Sequence, residues 1–150
     1  MNLDSLNKWL MLAANIGVIA GIIFLAIEIQ QNSLSTQAQT RTELTVIANQ
    51  MIDFISRPDF VIARNKLRNE EELSEYEVAL ISGQVMMQLR TGENVFYQHR
   101  IGTFNSDEFQ GYENFYREYL ESPEVKVIWN DRKHIFSPDF QREIDDLVSN

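Results

Sequence analysis

The chain of 150 residues has no cysteine, three prolines, six glycines and two histidines, and its 13 basic residues are outnumbered by 22 acidic ones. Without a thiol, disulfide bonds and thiolate catalysis or ligation are excluded. A formal net charge of −9 offers no surface for neutralising phosphates, so nucleic-acid binding is not expected. Also missing are any strand-period segment of useful length, a long repeat and a low-complexity linker. Catalytic frames are equally scarce. His99 and His134 stand in no G-x-S-x-G or H-E-x-x-H setting, and Walker-type and dinucleotide glycine motifs do not occur. A carboxylate-bridged di-iron site in a bundle needs two E-x-x-H pairs, and the nearest approach is a single Asp131-Arg132-Lys133-His134. The expectation is a non-enzymatic protein without a metal or other cofactor, of a size for one ordinary domain.

What the chain does have is a run from Trp9 to Ile27, 19 residues without a charge between Lys8 and Glu28. At 1.5 Å per residue it spans roughly 28 Å, close to the hydrocarbon thickness of a bilayer. A cleaved signal peptide would carry a shorter apolar stretch and a small-x-small cleavage site. Here the run is long, one Lys precedes it, and no A-x-A stands before Gln30, Gln31 and Asn32. A buried core helix fits less well, since the apolar character goes all the way round and Trp9 marks one end. The segment therefore reads as a membrane span. Ala13, Gly17 and Gly21 recur every four residues on it, include a G-x-x-x-G pair, and with the intramembrane amide of Asn15 form a candidate helix–helix assembly face. Small residues are also common in spans with no such role. With Lys8 and the amino terminus as the nearest positive charges, the positive-inside rule places the N-terminus in the cytoplasm and the C-terminal domain outside it.

From Ile22 to Arg57 neither Gly nor Pro interrupts the chain, so the span is expected to continue as one helix until Pro58 ends it. Residues Gln30 to Thr42 read as a solvated neck, and Leu44, Ile47, Ala48, Met51, Ile52 and Ile55 as an apolar stripe beyond it. A short helix follows Pro58. Ser74 and Glu77 have capping-box spacing, with Leu73 and Val78 placed as its hydrophobic staple. The helix they open presents Val78, Ile81, Val85, Leu89 and Phe96 and runs to about Arg100, with a break at Thr91-Gly92 as the rival reading. After a turn at Gly102 and Asn105-Ser106-Asp107 comes an aromatic helical stripe. Ser122-Pro123-Glu124 and Ser137-Pro138-Asp139 then open two short helices, about Pro123–Lys133 and Pro138–Val148. The fold class is all-α, a single N-terminal transmembrane helix continuing into a small extramembrane bundle of about four to six helices, divided as a transmembrane anchor (1–29), a helical neck continuing from the span (30–57) and an acidic helical domain (58–150).

Two further constellations are candidate sites. His99 and Arg100 could contact an anion, although cations near a helix C-terminus also complement its dipole. Phe109, Tyr112, Phe115, Tyr116, Tyr119 and Trp129 could line an apolar ligand pocket or, as such stripes more often do, form the core. The acidic cluster Glu70-Glu71-Glu72 with Glu75 and Glu77 reads as a solvated face, the alternative being attraction of a basic partner or cations.

The opening Leu6 to Asn32, L-N-K-W-L-x-L-x-A-N-I-G-V-I-A-G-I-I-F-L-A-x-E-I-x-Q-N, resembles the start of a family of small bacterial proteins with one N-terminal span and a helical C-terminal part. Looser likeness extends to Trp129 and Ser137-Pro138-Asp139-Phe140. The resemblance implies a single-pass protein of the bacterial inner (plasma) membrane and supplies no activity or catalytic residue. Together these features predict a protein that meets membrane lipid and assembles as a homo-oligomer or as an accessory subunit of a larger membrane complex, a pore being a variant. The alternative is a membrane-tethered, sensor-like domain that binds a small ligand. Eight residues precede the span in this chain, too few for an output domain, so a sensor would signal through a partner.

Overall fold

A computed structural model describes residues 2–149. Among them all regular structure is helical: α1 (Leu3–Ile55), α2 (Pro58–Arg68), α3 (Glu75–Arg100), α4 (Ser106–Tyr119), α5 (Pro123–Arg132), a single 3-10 turn at Lys133–Ile135, and α6 (Pro138–Ser149). The all-α class is as expected. The chain divides into two compact units, Met1–Ala38 and Gln39–Asn150.

The first unit is helical, and apart from half-buried Gln37 its described side chains are exposed. Its most apolar 18-residue window has a mean hydropathy of 2.5, and nothing in the unit covers it. The helix is long and apolar enough to cross a membrane.

The second unit begins inside the segment expected to be solvated, and Thr40 is buried there. Of the stripe that follows, Leu44 is buried against Val95 and Phe104, whereas Ala48, Ile52 and Ile55 are exposed. α1 stops where Pro58 requires it to: Arg57 is extended (φ −65°, ψ 139°) and Pro58 occupies the first turn of α2. The other end of α2 closes with the Glu71 N–H on the Lys66 carbonyl (2.9 Å) and the Glu70 N–H on that of Leu67 (3.2 Å). This paired arrangement needs a left-handed residue between them, and Glu70 takes it at φ 57° where glycine is the usual occupant.

α3 is the central element. Its capping box is formed as expected, with the Glu77 N–H donating to Ser74 Oγ (3.3 Å) and the Ser74 N–H to Glu77 Oε2 (2.8 Å). α2 covers one part of α3 through Phe60, Ala63, Leu80 and Ile81. Another part carries the main core, in which Val85, Leu89 and Phe96 meet Tyr116 and Leu120, Val125 and Trp129, and Phe136, Phe140 and Ile144. The staple residue Val78 is not part of either cluster and is 48% exposed. No break occurs at Thr91-Gly92: α3 runs unbroken through both interior glycines. At the two Ser-Pro starts the outcomes differ. Ser137 Oγ accepts the Phe140 N–H (3.4 Å), while Ser122 makes no side-chain cap and leaves Pro123 to set the first turn of α5.

Candidate functional site

In the first unit, Ala13, Asn15, Gly17 and Gly21 are all exposed on α1. A β-carbon added at Gly17 or Gly21 would meet nothing within 4 Å, so the notch they make in the helix surface is open to another helix. At 3.6 residues per turn Ala13, Gly17 and Gly21 share a face, and Asn15 points roughly the opposite way. The amide therefore belongs to a different seam from the small residues.

The aromatic set lies in the second unit, and most of it is core. Tyr116 and Trp129 are buried, and Phe109, Tyr112 and Tyr119 pack half-buried against the main cluster. The Trp129 indole N–H donates to Asp145 Oδ1 (3.2 Å), and the Tyr116 hydroxyl donates to the Gln88 carbonyl (2.7 Å). Phe115 departs from the core reading, being 43% exposed on the outer face of α4 and stacked on Tyr119 with ring centroids 5.6 Å apart. The Tyr119 hydroxyl is buried without a hydrogen bond of normal geometry; burial pushes its pKa up to about 12, against the opposing pull of the Gln84 amide and the Arg64 charge.

His99 and Arg100 line a cleft of about 760 Å³ between α3 and the start of α6. His99 lies flat on Phe109, ring centroids 3.8 Å apart, and its Nε2 is 3.5 Å from Ser106 Oγ. Among the described residues no carboxylate lies within salt-bridge distance of this ring, so the Ser–His pair lacks the third group that would orient it as a base. The Arg100 guanidinium is paired with Asp139, which also pairs with Arg142. Arg90 Nη1 pairs with Glu93 (2.6 Å), its Nη2 donates to the Ile135 carbonyl (3.2 Å), and Glu93 Oε1 accepts the Ser137 N–H (2.7 Å). Burial opposes the charge on Glu93, but the Ser137 N–H and Arg90 hold its pKa below the ordinary value. With Glu93, Asp139 and Glu143 against Arg90 and Arg100, the cleft carries more negative than positive charge. Its polar groups latch the first turn of α6 onto α3 and are largely spent on one another.

A second cleft, of about 770 Å³, lies between α2, α3 and α5. Leu67, Leu73, Val78, Ile81, Val127 and Ile128 form its walls, with Arg64, Arg68, Glu70 and Glu124 at the rim. Periodicity did not single it out, because its walls come from α2, α3, α5 and the segment before α3, each contributing only one or two residues. Among the described residues no group of three or more His, Asp or Glu side chains is placed to hold a metal ion. No family model, curated protein or solved structure matches the chain.

Proposed function

We propose that the chain is a single-span membrane protein that assembles through its N-terminal helix, either with copies of itself or as an accessory subunit of a larger membrane complex, and that it catalyses no reaction of its own. The observation that carries this reading is the uncovered surface of α1. Between Trp9 and Ile27 twelve large apolar side chains are exposed, Ile16, Val18, Ile22 and Phe24 each near 60%. Left in water they would cost on the order of 20 kcal/mol, at about 1.5–3 kcal/mol for each such side chain. Lipid removes that cost, and the length of the run matches the bilayer. Within lipid the hydrophobic effect no longer drives helix against helix, and association rests on close backbone approach, which the Ala13, Gly17 and Gly21 notch permits. On this reading the protein sits in the bacterial inner membrane with the acidic domain on the extracytoplasmic side, an orientation supported by Lys8 and the amino terminus as the positive charges nearest the apolar run.

Native mass spectrometry of the protein extracted from its own membrane in a mild detergent tests this. A mass at a multiple of 17.5 kDa identifies a homo-oligomer, and added mass from another polypeptide identifies an accessory subunit. Replacing Gly17 and Gly21 by Leu is expected to return the chain to monomer mass. A wild-type protein that is monomeric, or an assembly that both leucines leave intact, overturns the proposal.

A further inference from the structure

The cleft between α2, α3 and α5 combines two features that seldom coincide on this surface. Its walls are aliphatic, and two of them are strongly exposed for their type, Val127 at 69% and Val78 at 48%. The rim carries Arg64 and Arg68, one helical turn apart on the same face of α2.

The lack of ion-pair partners for those arginines is unusual for this chain. Nine of the 13 basic side chains are in ion pairs: Arg41, Arg57, Lys66, Arg90, Arg100, Arg117, Arg132, Lys133 and Arg142. Among the described residues the four without an ion pair are Lys8 beside the apolar run, Arg64, Arg68 and Lys126. Arg68 reaches the Asn65 side-chain oxygen (2.7 Å) and no carboxylate. In a protein with 22 acids, two adjacent guanidinium groups left without a carboxylate partner, both over the same aliphatic cleft, have the makings of an anion contact.

From this juxtaposition we infer that the cleft binds an acyl-chain amphiphile, its chain along the aliphatic walls and a phosphate or carboxylate head on Arg64 and Arg68. The volume is in the range of small-molecule sites. Glu70 and Glu124 share the rim, so a head with one negative charge, or a phosphate that also bears an ammonium, meets the site better than a multiply charged one. Free fatty acid and lysophospholipid both supply that chemistry. The site lies wholly within the second unit and stands independently of the proposed span and its assembly.

Photolabelling of the full chain in a neutral maltoside detergent tests the inference. The probes are palmitate, lysophosphatidylethanolamine and hexadecanol, each with a diazirine in the chain, with the labelled peptides mapped by mass spectrometry. One or both charged-head probes are expected to label the peptides containing Leu67–Val78 and Val127–Ile128 about tenfold more than the alcohol does, the counterpart of one charge-assisted hydrogen bond. Arg64→Ala with Arg68→Ala, exposed positions whose loss should leave the melting temperature unchanged, is expected to bring that labelling down to the level of the alcohol. Val127→Trp, filling the cleft, is expected to remove it for all three. The probe that labels at the lower concentration identifies the head group. Equal labelling by acid and alcohol, labelling confined to residues 9–27, or labelling that ignores the arginines overturns the inference. So does a cleft that no probe labels because another chain fills it.

Discussion

Tyr116 lies so close to the backbone of Gly92 that a β-carbon at position 92 would stand 2.6 Å from its Cζ and 2.8 Å from its hydroxyl oxygen. That hydroxyl reaches past the glycine to the Gln88 carbonyl, one turn earlier on α3, and receives the Gln88 side-chain amide at 3.2 Å. A fully buried tyrosine needs such a partner, and here the missing side chain at Gly92 clears the route to it. Burial, only partly offset by Gln88, holds the phenol far above its ordinary pKa, so it stays neutral and donates.

Gly83 provides the internal control, since a β-carbon there would meet nothing within 4 Å. On helix propensity alone, alanine at either position should stabilise α3 by about 1 kcal/mol. Gly83→Ala is expected to do so. Gly92→Ala is expected to destabilise by about 1–3 kcal/mol, overpacking and the strained Tyr116 bond outweighing the gain in propensity. Thermal melts of the two variants in the same detergent measure the difference. Melting temperatures that rise for both would remove the packing role assigned to Gly92.

Gly92 also illustrates what could be read in the sequence. The glycine was visible, as a cost to a helix that the surrounding pattern otherwise required, and its compensation was not, because Tyr116 is 24 residues away. Several local signals carried through, although Ser122 formed no side-chain cap and the staple residue Val78 stayed exposed. Pro58 ended one helix and opened the next, and Ser74 and Glu77 closed their capping box. The cleft over Arg64 and Arg68 was out of reach for the opposite reason: an unpaired arginine is recognised only once every carboxylate has a position.

The aromatic stripe on α4 shows the limit of periodicity within a single element. Phe109, Tyr112, Phe115, Tyr116 and Tyr119 share helical spacing, yet the face they span is wider than the surface α3 and α6 can cover. Phe115 falls at its edge and remains 43% exposed, while Tyr116 is fully buried. Truncation should separate the neighbours. Tyr116→Ala is expected to cost about 3–5 kcal/mol through lost contacts and a cavity, and Phe115→Ala about 1 kcal/mol, within the range of ordinary surface changes. Denaturant titration of the two variants checks this, and equal losses would return Phe115 to the core.

Acid stability should be governed in part by two carboxylates that fasten α2 to α3. Glu77 takes a hydrogen bond from Lys66 Nζ (3.0 Å) and from the Ser74 N–H and hydroxyl (2.8 and 2.9 Å), and these partners, Lys66 foremost, hold its pKa down from 4.5 to about 2. Asp59 is lowered from 3.8 to about 2 by the Tyr76 hydroxyl (2.6 Å) and then by Arg57. A carboxyl that is more acidic in the folded chain binds protons more readily when unfolded. Its contribution is therefore complete above a pH of about 4.5 and fades as the pH falls toward 2. Asp59 is part-exposed whereas Glu77 is nearly buried, so screening and added salt should reduce the Asp59 contribution more than that of Glu77. Melting temperature is expected to fall between pH 4.5 and 2 in the wild type, and to fall less steeply in Glu77→Gln, which retains an acceptor for Ser74 but has no proton to gain. Parallel slopes for the two proteins across that interval would show that the Glu77–Lys66 contact makes no pH-dependent contribution, leaving the helix cap alone to account for the joint between α2 and α3.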